Sequence, residues 1–424
     1  MSSASLLSAL HSPAAVYGAP FGVDVLRLIE ALENRGSAAL YVARDDKQAA
    51  TAFKLAQFFR PSLETIRLPG WDVLPYDRVS PSPAIAAARC AALASLAQRP
   101  ANAEPCLVIT TASSLVQRVP PVETMRASSL SVYTGGRIEQ NALTSYLSIN
   151  GYVRVASVSE KGEYSIRGGK VDIYPPTGEE PVRLDLFGDE IESIKAFDPE
   201  TQISTRPLNR VALAPVSEIL FNEDTLGLFR ERYLAELGSP VGDPMYEAAR
   251  AEIRRGGIEG WLPLFHDHLD TLFDYIGPGA LIGLGALSAE AASERLSQAK
   301  DYHAARLEAA GEERQARVLS PQHLYLTEDQ LAAALQSRGV ARFHPGRGEG
   351  GVDLGGAQGR DFAPERAQPE VNIFEVAAQH AKSIHGAGKT IVFGAWTDGS
   401  ASRLEGVLED HGLPRIQWSY RRRE

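Results

Sequence analysis

Phosphate chemistry at a helix start needs backbone N–H groups aimed at the phosphates, a lysine on the β- and γ-phosphates and a hydroxyl on magnesium. These requirements produce the spacing G-x-x-x-x-G-K-[ST]. Two stretches of this 424-residue chain have part of that outline. In VYGAPFGVDVLRLIEAL, residues 16–32, a Gly-rich turn opening at Gly18 enters a helix, but where the cation and hydroxyl belong the chain reads Gly22, Val23, Asp24. A carboxylate there repels phosphate, so a plain helix start is the better reading. In HGAGKT, residues 385–390, the Gly-Lys-Thr ending is present, but Ser383 stands at the first Gly place. That segment also runs from a helix into a strand pattern, the reverse of the required order, so it reads as a helix C-terminal turn.

Metal and nucleophile chemistry fare no better. FHDHLD, residues 265–270, offers His266, Asp267, His268 and Asp270. On a helix His266 and Asp270 would share a face at i, i+4, yet a closed site needs a third or fourth ligand that no spacing supplies, and a solvated helix face is the plainer expectation. The two cysteines, Cys90 and Cys106, have neither metal-type spacing nor an activating context, and G-x-S-x-G is absent. The sequence therefore implies no catalytic residue, no cofactor and no metal.

The elements that must carry any function follow from periodicity. AALYVA (38–43), ETIRLP (64–69) and PCLVITT (105–111) are strands, separated by the helical patterns KQAATAFKLAQFF (47–59) and AIAAARCAALASLAQ (84–98). That alternation predicts an α/β fold with a parallel sheet and crossover helices. From about 127 to 216 the rhythm changes to short strands with Gly and Pro turns, after which helices dominate, with ALIGLG (280–285) as one buried strand. Ser288 is placed to cap a long charged helix reaching about 316. Residues 346–369 hold seven Gly and form the best linker; a small helix–strand–helix unit follows, with TIVFGAW as its strand. The expected division is 1–126, an inserted strand-rich 127–216, 217–345, the linker 346–369, and 370–424.

Composition agrees with several packed cores: 44% of residues are hydrophobic. The net charge of −10 argues against binding nucleic acid mainly through phosphates, although RRGG and a terminal RRR leave a local basic patch open. Few cysteines, no basic leader and no long apolar run lead to the expectation of a reducing, cytoplasmic setting.

The stretch 163–193, EYSIRGGKVDIYPPTGEEPVRLDLFGDEIES, is the most informative. In VRLDLF, period 2 puts Val182, Leu184 and Leu186 on one face and Arg183, Asp185 and Phe187 on the other. The second face sets an aromatic ring beside a guanidinium, a pairing typical of interface anchors. Ordinary cross-strand pairing of Arg183 with Asp185 or nearby glutamates is the plainer reading on spacing alone, since an isolated exposed aromatic is common. In SIRGGKVDIYPP, Ile166 and Val171 differ in parity, so both face inward only if a strand bulges; Gly168–Gly169 is the expected bulge, leaving Arg167 outward.

RLPGWDVLPYDRVSPSPAIAAARCAALASL, VITTASSLVQRVPP and GYVRVASVSEKGEYSIRGGKVDIYPPTGEEPVRLDLFGDEIESIKAFDPETQIS resemble, in order, the N-terminal portion of the transcription-repair coupling factor family, Mfd. The likeness covers about residues 10–285, including GIEGWLPLF at 257–265, and weakens beyond. It implies a UvrB-like split α/β domain (1a and 1b) with an inserted domain 2 and a following small α/β domain 3.

In that family domain 2 docks on UvrA, the damage-recognition ATPase, through two arginines and a phenylalanine. These fall here on Arg167, Arg183 and Phe187. If Arg183 is half of a desolvated charge pair at the interface, its loss costs about 2–5 kcal/mol of binding. Relative to UvrB, the turn from Gly18 through Gly22 to Asp24 lacks the ATP-binding lysine, and LPYDRVSPSPAIAAARC passes to helix without the Tyr-rich hairpin that UvrB inserts between DNA strands. The resemblance thus implies a non-catalytic recruitment module. RNA polymerase and DNA contacts, the ATP-driven motor and an intramolecular C-terminal domain would belong to parts of such proteins beyond this chain. A divergent UvrB-type nucleotide-binding, helicase-like enzyme is the alternative.

Overall fold

The computed structural model describes residues 7, 10–36, 38–100, 102–310, 317–357 and 359–413, which fall into two compact units, Met1–Ala357 and Gln358–Glu424. The strands, in chain order, are β1 (Pro13–Tyr17), β2 (Ala38–Ala43), β3 (Glu64–Leu68), β4 (Cys106–Thr111), β5 (Leu130–Tyr133), β6 (Val153–Arg154), β7 (Glu163–Arg167) and β8 (Lys170–Ile173). They continue with β9 (Val182–Phe187), β10 (Glu190–Phe197), β11 (Ser204–Leu208), β12 (Arg210–Leu213), β13 (Leu281–Leu284), β14 (Val340–Phe343) and β15 (Val352–Asp353).

The first unit is built on a seven-stranded parallel sheet in the order β15-β1-β14-β13-β2-β4-β3. Alternate residues of its central strands feed two cores: Leu40, Val42 and Val108 join one, while Ala39, Tyr41, Leu107 and Ile109 join the other. Strands buried on both faces must be apolar without alternation, which is why AALYVA and CLVITT read as continuous runs. The crossover helices Asp46–Phe59 and Pro83–Ala97 lie within a residue or two of their sequence-derived bounds. Val352–Asp353, inside the Gly-rich stretch, adds the edge strand β15 beside β1.

Between β4 and β13 the chain builds a second layer system. A six-stranded sheet, β11-β10-β9-β8-β7-β6, is antiparallel except for the β6–β7 pair, and a two-stranded ribbon pairs β12 with β5. Val171, Ile173, Val182, Leu184, Ile191 and Ile194 pack with Leu143 and Leu147 of helix Gln140–Ile149 into a third core. One face of the six-stranded sheet is thereby covered. Its other face carries the residues of interest.

Several expectations are corrected. Gly168–Gly169 is a two-residue turn between β7 and β8 and not a bulge, so Ile166 pairs directly with Val171 and both reach the same face across a hairpin. Gly168 takes φ +60°, and a Cβ on Gly169 would come within 2.6 Å of the Leu186 carbonyl oxygen. Ser288 does not cap its helix: it is the first residue of Ser288–Ala310, with its hydroxyl buried and unpartnered. The expected continuation to 316 lies outside the described residues.

In the second unit, helix Ile373–Gly386 ends at HGAGKT, where Gly388 has φ +80°, as a C-terminal turn should. TIVFGAW forms no strand, and Val392 and Trp396 are exposed. A strand needs a neighbour to take its backbone hydrogen bonds, and the described residues of this unit supply only helices.

Candidate functional site

The register of the six-stranded sheet builds its open face one pair at a time. Directly opposed residues share a face, and Arg167 opposes Lys170, Lys170 opposes Asp185, Asp172 opposes Arg183, and Arg183 in turn opposes Lys195. Phe187 opposes Glu190 across the next turn, Gly188–Asp189. A β-bulge between Ile191 and Ser193 shifts the phase of β10, which keeps Ile191 and Ile194 in the core while Ser193 and Lys195 stay on the open side. Arg167, Arg183 and Phe187 therefore do share one face, and the β7–β8 and β9–β10 turns bring Arg167 and Phe187 to the same end of it.

The three side chains differ in how free they are. Phe187 is 75% exposed, far beyond the exposure of its β9 neighbours. Arg167 is exposed and donates to the Ala156 carbonyl oxygen, without an acidic partner among the described contacts. Arg183 is not free: its Nε and Nη2 donate to the two carboxylate oxygens of Asp172 at 2.7 and 2.9 Å, and Nη1 donates to the Gln202 carbonyl at 3.2 Å. Its guanidinium carbon lies 4.8 Å from the centre of the buried Phe197 ring. The Asp172 hydrogen bonds hold the Arg183 proton more firmly than usual. Pairing of Arg183 with an acid is thus real, but the acid is Asp172, not Asp185. Asp185 lies instead between Lys170 and Lys195, each 3.8 Å away, and accepts from Ser193 at 3.0 Å. Period 2 puts Asp172 and Arg183 each on an open face; only the register of β8 against β9 makes them partners.

Residues 130–219, which span this sheet and its helix, match the profile of the UvrB interaction domain. Over more of the chain the sequence is similar to proteins named transcription-repair-coupling factor: 28% identical over 90% of this chain in Rickettsia bellii, 32% over 69% in Rickettsia typhi and 31% over 74% in Escherichia coli. The chain belongs with the N-terminal region of the transcription-repair-coupling factors. It spans 33%, 26% and 27% of the length of these three relatives.

Within this transcription-repair-coupling factor region, the turn that resembles a phosphate loop holds a ligand of its own. Asp24 is buried; its Oδ1 accepts the N–H groups of Gly22 and Val25, both at 2.8 Å, and its Oδ2 accepts the Tyr41 hydroxyl at 2.6 Å. The positive end of helix Val23–Arg35 is therefore met by the protein's own carboxylate, where a phosphate would sit in a nucleotide site. Burial pushes the Asp24 carboxyl upward, offset in part by these hydrogen bonds. The segment after β14 also crosses the turn: Gly18 donates to the Gly346 carbonyl at 2.8 Å, and Gly356 donates to the Gly18 carbonyl at 3.1 Å.

His266 to Asp270 form no helix, because the 3-10 helix Ile258–Phe265 stops before them. His266 is buried with Nε2 3.1 Å from the Glu218 carbonyl oxygen, while His268 lies against Asp270. Among the described residues no group of three His, Cys, Asp or Glu could hold a metal, and no helix is long and apolar enough to cross a membrane. Both cysteines are buried, and burial raises both thiols. Of RRGG, Arg254 is spent inside the fold: it donates to Ser217 Oγ, the Ile219 carbonyl and the Ile149 carbonyl at 2.8, 2.7 and 3.0 Å. Burial pulls its pKa down to about 10. The terminal RRR lies outside the described residues.

Proposed function

We propose that this chain is a non-catalytic recruitment module of transcription-coupled nucleotide excision repair that docks UvrA on the open face of the six-stranded sheet. The observation that carries the reading is Phe187, a 75% exposed aromatic at the end of a sheet face that it shares with the exposed Arg167 and the rigidly held Arg183. An aromatic ring in that setting contributes through the area it buries in a partner's pocket, and arginines beside it supply directional hydrogen bonds. The match of residues 130–219 to the UvrB interaction domain supports the same reading, since this is the segment from which the face is built. In the rest of such a protein we place RNA polymerase binding, DNA translocation driven by ATP, and a C-terminal domain that contacts this module.

The self-capped turn at Gly22–Asp24 supports a role without nucleotide hydrolysis. Isothermal titration with purified UvrA tests the docking face directly. Phe187→Ala and Arg167→Ala should each weaken binding while leaving thermal unfolding unchanged, with Phe187→Ala costing at least about 2 kcal/mol as an interface hot spot. Undiminished binding in both variants would refute the face.

A further inference from the structure

We infer that Asp172 is a positioning residue for partner binding: it holds the Arg183 guanidinium in the one orientation from which its remaining donors can meet UvrA. The inference rests on the docking face proposed above. A guanidinium has five N–H donors, and three are already engaged here, one from Nε and one from Nη2 to Asp172 and one from Nη1 to the Gln202 carbonyl. Two remain for a partner. The side chain that carries them is 19% exposed against 7% for Asp172, so the carboxylate lies deeper in the sheet and the arginine toward its surface.

The other restraints converge on the same group. Phe197 closes the guanidinium from one side at 4.8 Å. Gln202 is itself pinned, with φ +61°, its N–H donating to the Asp198 carbonyl at 2.8 Å and its Nε2 donating to the Val158 and Pro199 carbonyls at 3.0 and 2.7 Å. Lys195, directly opposite Arg183 on β10, is occupied with Asp185 and offers it no acceptor. An arginine held this way has given up its rotamer freedom before any partner arrives, so little remains to be lost on association. Removing Asp172 returns that freedom and leaves the Arg183 charge without its counter-ion.

The test uses the full chain and purified UvrA, with calorimetry for Kd and thermal unfolding as the folding control. Asp172→Asn keeps the side-chain shape but removes the charge and one acceptor; binding should weaken threefold or more with cooperative unfolding retained. Arg183→Lys keeps the charge but lacks the planar fork that Asp172 grips. It should weaken binding by a similar factor, and adding Asp172→Asn to it should produce no further loss, a pattern that general destabilisation of the sheet does not produce. If Asp172→Asn fails to fold, Asp172→Glu, which keeps the charge but displaces the carboxylate by one methylene, takes its place under the same threefold criterion. A folded Asp172→Asn that binds within threefold of the parent, or losses that multiply in the double variant, overturns the positioning role. Phe187→Ala and Arg167→Ala separate the two layers: if either weakens binding while Asp172→Asn is silent, only the positioning role fails, and if both leave binding intact, the docking face falls and the inference with it.

Discussion

Replacing Glu218 by glutamine strikes the most deeply buried charge pair of the first unit. Arg89, on helix Pro83–Ala97, is completely buried; its Nε donates to Glu218 Oε1 at 2.7 Å, and the Trp71 indole N–H donates to the same oxygen at 2.9 Å. Nη2 donates to the other carboxylate oxygen, Glu218 Oε2, at 3.4 Å, while Nη1 reaches the Pro69 carbonyl at 2.8 Å and Ser114 Oγ at 3.0 Å, both neutral, so Glu218 is the counter-charge. Removing one partner of such a buried pair leaves the other uncompensated and costs about 3–5 kcal/mol. Glutamine keeps one acceptor oxygen, which puts the expected loss near the lower end, about 3 kcal/mol. Against a total stability of about 5–15 kcal/mol that is a fifth or more. Urea unfolding followed by tryptophan fluorescence reads it, with Trp71 inside the network as reporter. Glu218 follows the return crossover from the inserted sheets, where Arg254 ties Ser217 and Ile219 to Ile149, so the loss should also loosen that junction. The pair matters for its charge balance and not for its attraction, so Arg89→Met with Glu218→Leu should cost less than the sum of the single substitutions. A Glu218→Gln loss under about 1 kcal/mol, or a double variant as costly as that sum, would refute the reasoning.

Gly169→Ala should destabilise the β7–β8 hairpin and shift unfolding to lower urea, because the new Cβ would lie 2.6 Å from the Leu186 carbonyl oxygen, a backbone atom that cannot rotate away; an unchanged midpoint contradicts this. His266, buried against the Glu218 carbonyl, has its pKa lowered below the usual 6.5 by burial. Its contribution is therefore fully present above about pH 6.5 and is lost as pH falls toward the folded-state value. Thermal unfolding between pH 7.5 and 5.5 should show the parent losing more stability than His266→Gln, and parallel losses would count against it. ATP should produce no thermal shift, since Asp24 already takes the helix-start N–H groups, whereas a site saturated at about 100 times its Kd would add about 2.7 kcal/mol.

Strands and helices form where the local pattern meets a neighbour of the expected kind. AALYVA, CLVITT and their crossover helices formed as expected because their apolar runs face two cores. TIVFGAW has comparable strand character and forms none, because the described part of its unit offers no edge to pair with. Ile166 and Val171 show the limit of reading parity along a single strand: their mismatch signalled a chain reversal, which brings residues of opposite parity to one face as easily as a bulge does. The charged residues around His266 suggest a solvated helix face, yet the 3-10 helix ends at Phe265 and His266 is buried.

For the open sheet face, alternation alone determined that Arg183 and Phe187 point away from Val182 and Leu184, because the two-residue period is a property of any extended chain. Which acid closes on Arg183, which lysines share Asp185 and that Arg167 and Phe187 lie at one end of the face were decided only by the pairing of β7 through β10. Register depends on turn geometry and on the burial of an entire sheet face, and neither is contained in the residues of a single strand.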